Sequence, residues 1–242
     1  MPNNKFSQIS LLDIYEDVNT SFTEKKSELV SLLEKHIDFS SLISYEFHHA
    51  FYSNIGRKHK YHLESFIKAL IIQKLFAFNL DSQLILVLKN SDTLRDFCDF
   101  DKVPDGSYFT RFKQRYCDYL ADMFHKLVDI TEPICHEIDS KKADYLIFDT
   151  TGIEPYVAEN NPKFLNTKHW DNLYNHRVYI ERTIFLLKDC FGLNTLRTQN
   201  TTTIKADVYL AAITQLIGVI LAKSIHELKF FKSIRKLVKQ AA

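Results

Sequence analysis

Apolar residues recur at helical spacing through most of the first 140 residues of the chain. Residues 9–36 predict one or two helices, and residues 62–78 predict a strongly apolar helix at the core of a helical N-terminal domain. Between them, residues 48–57 are rich in aromatic and basic groups and predict a loop. Three more helices are expected, each opening at or after a polar residue: 81–89, 93–98, and one from 105 or 107 to about 130.

The first turns of the last of these helices are basic and aromatic. A short helix, a turn and then a helix with basic N-terminal turns is the layout of a helix-turn-helix DNA reader. A plain helical bundle with solvated cations explains the same pattern equally well. The candidate DNA contacts in this helix are Arg111, Lys113 and Arg115.

The periodicity changes near residue 141. Residues 144–149 form a short apolar run typical of a strand, which ends in Asp149 and is followed by two threonines and a glycine. A carboxylate at the end of a buried strand can hold a hard cation in a cleft, and it can also simply end the strand. Residues 154–162 are polar and proline-containing and predict an extended loop.

Further along, residues 174–188 predict a helix with a narrow polar stripe. Tyr174, Arg177, Glu181 and Lys188 stand at positions i, i+3, i+7 and i+14, so they project within roughly 60° of one another. Apolar residues border the stripe on both sides. An ordinary amphipathic helix with ion-pair support is the simpler interpretation of this pattern. After it we expect a polar linker at 194–203, an apolar helix at 208–226 and a basic tail at 229–239.

Composition favours a large globular core rich in helix, since 45% of the 242 residues are apolar and only 5 are glycine and 5 proline. The net charge of +1 conceals an asymmetry. Residues 163–242 hold 13 Lys and Arg against 5 Asp and Glu. A basic C-terminal third suggests a polyanionic partner such as nucleic acid, although a solvated tail of scattered cations would give the same count.

Cysteine spacing and the N-terminus indicate the compartment. The four cysteines include no Cys-x-x-Cys pair, so reduced thiols are the default, and the N-terminus lacks the apolar segment of a signal peptide. We therefore expect a cytoplasmic protein without a membrane partner. Residues 208–222 are the one candidate membrane span, but they are short for that role and predict a buried core helix instead.

Two landmarks together, Asp149 within Ile-Phe-Asp-Thr-Thr-Gly and the stripe of Tyr174, Arg177, Glu181 and Lys188, resemble a known family. It is the RNase H-like DDE transposases of bacterial insertion sequences, in the branch marked by Tyr-x2-Arg-x3-Glu-x6-Lys. Residues 63–78 and 103–112 also look like the helical domain that precedes the catalytic domain in these proteins. The resemblance implies a mainly α chain with a helical N-terminal domain at 1–140 and an RNase H-like α/β catalytic domain at 141–242.

The resemblance also implies chemistry. Family members bind the terminal inverted repeats of a transposon and use carboxylate-held divalent metals, usually Mg2+, for phosphoryl transfer on DNA. Asp149 would be the first catalytic carboxylate and Glu181 the third, and both would be metal ligands. Tyr174, Arg177 and Lys188 would contact DNA phosphates near the cut end.

The chain departs from this family pattern between its two carboxylates. Only 31 residues separate Asp149 from Glu181, too few for the missing strands and for a second strand-terminal aspartate. We therefore predict an internally deleted transposase with a truncated catalytic domain, which retains its first strand and the glutamate helix, binds Mg2+ weakly and does not cleave DNA. One alternative is a DNA-binding protein that occupies transposon ends or interferes with intact transposase subunits. Its protein partner would be a second copy of this chain, in a homodimer, or an intact transposase subunit. The other alternative is an incompletely folded remnant.

Overall fold

The computed structural model describes residues 28–52, 59–140, 168, 181–194, 196 and 198–241. Within these ranges every regular element is helical, which confirms the prediction of a mainly α chain. The helices are α1 (28–36), α2 (Phe39–Leu42), α3 (Tyr45–Phe51), α4 (Leu63–Leu75), α5 (Asp81–Asn90), α6 (Asp92–Phe97), α7 (Gly106–Arg115), α8 (Cys117–Ile138), α9 (Thr201–Ser224) and α10 (Ile234–Ala241). Residues 181–185 are also helical and continue into a π-helical turn, Leu186–Cys190.

Helix α4 lies at the centre of the N-terminal part. It is apolar on nearly every side, as a helix surrounded by other helices must be, and Ile67, Leu70 and Ile71 are fully buried. The neighbouring helix α3 replaces the loop predicted at 48–57, at least as far as Phe51. Ser44 caps α3 by accepting a hydrogen bond from the Phe47 N–H, and the buried rings of Phe47 and Phe51 hold the helix to the core.

The long helix predicted from residue 105 or 107 to about 130 is in fact two helices, α7 and α8. They meet at Tyr116, whose backbone is not helical (φ −116°, ψ 21°). Its buried ring contacts Phe51 and Phe112, with centroids 5.5 and 5.2 Å away. No glycine or proline marks this break in the sequence. The buried Tyr116 ring packs into the aromatic core at the point where α7 ends and α8 begins.

Helix α9 passes through the same core as the N-terminal helices. It packs most extensively along α8 and also contacts α4 and α7. The core helix predicted at 208–226 is confirmed, although it starts seven residues earlier, where the Asn200 side chain accepts a hydrogen bond from the Thr203 N–H at 2.9 Å. In the described part of the chain, α9 alone is long and apolar enough to cross a membrane by length and composition, and 56% of that window is buried within the protein.

Two further predictions concern the C-terminal third. The basic tail expected at 229–239 includes helix α10, whose Leu237 is fully buried in the common core. The division into domains at 1–140 and 141–242 stays a prediction, but α9 and Leu237 come from the second range and pack with the first. The predicted strand at 144–149 and the truncated RNase H-like sheet lie outside the described residues.

Candidate nucleic-acid interface

Helix α7 has an inward and an outward face. Phe109 and Phe112 are buried against the aromatic core. Because side chains three, four and seven positions apart share one side of a helix, Tyr108, Arg111 and Arg115 lie together on the adjacent side, which is exposed. Both arginines are exposed, and the Tyr108 side chain is 42% exposed. We call this surface the α7 face.

Neighbouring groups hold the Arg111 side chain in place. Its Nε donates to the Ser107 carbonyl oxygen and its Nη2 to the Ser107 hydroxyl, both at 3.0 Å. The guanidinium lies 5.2 Å from the centre of the Tyr108 ring, and that of Arg115 lies 5.5 Å from the Tyr116 ring. On the α7 face, Arg111 is therefore held in place beside the exposed Tyr108 ring, and Arg115 lies beside the buried Tyr116 ring.

Lys113 is not part of this surface. A spacing of two residues turns a helix by about 200°, and the Lys113 side chain accordingly points into the protein, where the residue is only 3% exposed. Its Nζ lies 2.8 Å from an oxygen of Asp81 and 3.3 Å from one of Asp207. The structure thus separates Lys113 from Arg111 and Arg115, which the sequence had grouped as one basic cluster.

Lys113 belongs to a charge network that joins four helices, α4, α5, α7 and α9. Lys74 of α4 lies 2.6 Å from Asp207 of α9, so Asp207 is shared by two lysines. Asp81 also accepts hydrogen bonds from Gln73 Nε2 at 3.0 Å and Thr110 Oγ1 at 3.2 Å. Burial, opposed mainly by Asp207, lowers the pKa of Lys74.

Helical periodicity does not reveal this network, although the sequence carries a sign of it. Lys74 and Asp207 each interrupt a helix that is otherwise strongly apolar, and a charged residue is rarely buried unless it is paired. Because 133 residues separate them, spacing gave no indication that they pair. The network fixes α7 against α4 and α9, and so fixes the direction in which the α7 face points.

The second predicted site falls only partly within the described residues. Asp149, Tyr174 and Arg177 lie outside them, whereas Glu181 and Lys188 are described and exposed. Lys188 lies in the π-helical turn, which is wider than an α-helical one. The π turn therefore shifts Lys188 from the position that a continuous α-helix gives it in the stripe with Glu181.

The end of this helical segment is anchored to the N-terminal part. The N–H groups of Leu193 and Asn194 donate to the Lys188 carbonyl oxygen at 2.9 and 3.2 Å, and Gly192 adopts a positive φ of 72°. A Cβ at Gly192 would lie 2.7 Å from Asn79 Oδ1 and 3.0 Å from the Ala77 carbonyl oxygen. Glycine is thus required both by the backbone conformation and by this close approach.

No group of three or more His, Cys, Asp or Glu side chains that could hold a metal ion occurs within the part of the chain that the structure describes. Glu181 is there, but the other predicted metal ligand, Asp149, is not. The described residues therefore offer Mg2+ no complete ligand set, and a site at Asp149 and Glu181 stays a prediction.

The described geometry defines a mainly helical protein that presents an aromatic, arginine-bearing helix face at its surface. Residues 18–115 match a family model described as a transposase domain (DUF772). The matched span covers less than half of the chain and ends at Arg115, the last residue of α7. This match supports the conclusion that the protein is related to transposases. No curated protein and no solved structure matches the chain.

Proposed function

We propose that this chain binds the terminal inverted repeats of a transposon through the α7 face. The observation that carries the proposal is that the exposed side chains of Arg111 and Arg115 share one side of α7 with Tyr108, within the residues that match the transposase domain. Guanidinium groups suit phosphate oxygens because their planar donors can contact two oxygens at once. Such contacts position a protein on DNA, while the rest of the face reads groove shape or bases.

We further infer that the chain is an internally deleted insertion-sequence transposase of the RNase H-like DDE type. The inference rests on the resemblance carried by Asp149, Glu181 and the residues Tyr174, Arg177 and Lys188. In an intact family member, Mg2+ held by three carboxylates supplies the charge stabilisation for phosphoryl transfer. Here Asp149 and Glu181 are the only matching carboxylates, so the chain binds DNA without cleaving it.

A chain that binds transposon ends without cleaving them would regulate transposition. It occupies transposon ends, and it competes there with intact transposase subunits or pairs with them. The basic C-terminal third adds positive charge for the same polyanionic partner. A homodimer would occupy both ends of one element.

Binding is tested with the full chain and a fluorescently labelled duplex that carries the inverted repeat flanking its coding region. We expect binding that weakens steeply with salt and exceeds binding to a scrambled duplex. Arg111→Gln with Arg115→Gln should reduce the salt slope by about 2, because two phosphate contacts are lost. Lys89→Gln, at an exposed lysine of α5, is the matched control. Equal binding by the double variant and the control would refute the α7 face as the interface.

Cleavage is tested separately, with the same repeat-bearing DNA and Mg2+ or Mn2+. We expect neither cleaved nor joined product. Robust product that disappears in Glu181→Ala would overturn the inference of an inactive, deleted enzyme, and it would leave the binding proposal intact.

A further inference from the structure

The chain segment just before α4, residues 59–61, borders the α7 face. His59 lines a small recess of about 170 Å³ together with Arg111 and Arg115, and the described residues of its lining include no carboxylate. His59 is exposed, as are both arginines. Three side chains that can donate hydrogen bonds to an anion therefore meet at one place on the surface, and two separate parts of the chain supply them.

Ring contacts hold this segment in place. The His59 ring stacks on the buried Phe51 ring, with centroids 4.2 Å apart. The Tyr61 ring lies edge-on to the Tyr108 ring at 5.5 Å and to the Phe66 ring at 5.9 Å. The segment is thus already positioned beside the α7 face, so that a ligand would bind it with little loss of conformational entropy.

Lys60 lies between these two anchored residues and is exposed. Its Nζ is 5.4 Å from the centre of the Tyr61 ring, which also contacts Tyr108 of the α7 face. No carboxylate in the described part of the chain forms an ion pair with Lys60. The Lys60 ammonium is therefore available to an anionic ligand that also reaches the α7 face.

The remaining charges near this segment are of both signs. Burial raises the pKa of the Tyr61 phenol, and of the charged groups close to it, Lys102 lowers that pKa and Asp105 raises it. Since Lys102 and Asp105 offset each other, Lys60 and the two arginines leave the combined surface positive.

We propose that His59 and Lys60 contact DNA phosphates together with Arg111 and Arg115, so that the interface consists of two elements and not of the α7 face alone. The inference rests on the proposed DNA binding and adds residues to that same site. An imidazole N–H can donate a hydrogen bond to a phosphate oxygen, and an ammonium adds a full positive charge. Contacts from two elements would fix the register of the protein on the duplex.

DNA suits this surface better than a phosphorylated peptide does. The donors are spread over α7 and the 59–61 segment, and DNA offers phosphates at regular intervals along each strand, whereas a singly phosphorylated peptide offers one. The surface also lies within the residues that match the transposase domain. DNA would therefore engage all four side chains.

The first test measures how salt weakens binding of the full chain to the labelled repeat duplex and to a scrambled duplex. Lys60→Gln should reduce the salt slope by about 1 and weaken binding to both duplexes by the same factor, because a phosphate contact carries no sequence information. Lys35→Gln, at an exposed lysine of α1, is the matched control, since Lys35 lines a different recess beside Phe39 and Phe97. That variant should bind as the unaltered chain does.

The second test replaces the imidazole by a ring that cannot donate. The phenyl ring of His59→Phe can keep the stacking on Phe51, so we expect affinity for both duplexes to fall about two- to tenfold, the typical value of one lost hydrogen bond. His49→Phe, at an exposed histidine of α3, is the control and should leave affinity unchanged.

The outcomes separate the two proposals. A salt slope in Lys60→Gln equal to that of Lys35→Gln, or unchanged affinity in His59→Phe, would overturn the two-element interface and leave the α7 face alone. A loss confined to the repeat duplex would overturn it too, because phosphate contacts do not depend on sequence. Displacement of the duplex by an equal concentration of a phosphopeptide would assign the surface to a protein partner. Absence of binding by the unaltered chain would overturn the proposed function itself.

Discussion

At the scale of single residues, Asp207 illustrates how burial decides what a charge does. It is buried in an apolar helix, yet it lies within 3.3 Å of two buried lysines from different helices. Taking charges out of water costs several kcal/mol per ion, and only close partners offset that cost. The close carboxylates of Asp207 and Asp81 therefore offset the cost of burying Lys74 and Lys113.

We predict that Asp207→Ala destabilises the protein by about 3–5 kcal/mol, because it leaves Lys74 buried without its close partner. Urea unfolding followed by circular dichroism measures the change. Asp92→Ala is the matched control, since Asp92 pairs with Arg95 at the surface and its side chain is 80% exposed. That variant should change stability by less than about 1 kcal/mol. Similar losses in the two variants would argue against a structural role for the buried network.

Cysteine reactivity follows burial in the same way. Burial raises the pKa of the Cys98 thiol to about 12, whereas Cys190 is exposed in the π-helical turn. At pH 8 we expect a thiol reagent to label Cys190 and to leave Cys98 unmodified, because the thiolate is the reactive form. Mass spectrometry of the labelled peptides measures this, and labelling in urea, where both should react, is the control. Rapid labelling of Cys98 in the folded protein would contradict the described core.

At the scale of elements, the helices were easier to predict than their ends and contacts. Periodicity located α4, α5, α6 and the start of α7 within a few residues, because their apolar positions follow the helical repeat. It could not show the break at Tyr116, where the ring packs against Phe47 and Phe51 of α3, far away in sequence. A spacing of four places Arg111 and Arg115 on one side of α7. It does not show that this side faces water, and no pattern in the sequence indicated that Lys113 is buried, because the partners of Lys113 are far away in sequence.

The close contact between Gly192 and the turn at 77–79 holds the end of the 181–190 segment against the N-terminal part of the chain. Gly192→Ala would force a Cβ to 2.7 Å from Asn79 Oδ1 at a positive φ, so we expect a loss of about 1–3 kcal/mol and faster amide exchange near residue 193. Hydrogen exchange with urea unfolding measures both effects.

Gly106→Ala is the control for this substitution. A Cβ there would lie 3.7 Å from Ile85 Cδ1, which is an ordinary contact, and alanine favours the helix that begins at Gly106. We expect Gly106→Ala to be neutral or slightly stabilising. A Gly192→Ala protein as stable as the parent would show that the turn at 77–79 yields to the added methyl group.

At the scale of the whole molecule, the core joins distant parts of the chain. Leu210, Ile213 and Ile217 of α9 are fully buried in the same cluster as Leu70 of α4 and Leu120 of α8. The residues that match the transposase domain therefore complete their core with residues about 100 positions further on. The hydrophobic pattern identified α9 as a core helix, but it could not show that α9 packs against α4, α7 and α8.

We predict that a chain ending at residue 140 does not fold cooperatively, because the surfaces of α4, α7 and α8 that contact α9 would face water. Thermal unfolding by circular dichroism and binding of a hydrophobic dye measure this. The comparison is the full chain, which should unfold in a sharper transition and bind little dye. A sharp transition in the shortened chain would establish 1–140 as an independent domain.

The position of α9 also bears on how the protein is made. Residues 18–115 leave the ribosome before α9 exists, and at about 5–20 residues per second α9 follows roughly 5–20 s later. During that interval Lys74 and Lys113 have no Asp207, and the apolar surfaces beside them have no cover. We therefore expect the nascent chain to expose apolar surface that chaperones can bind until α9 has been translated.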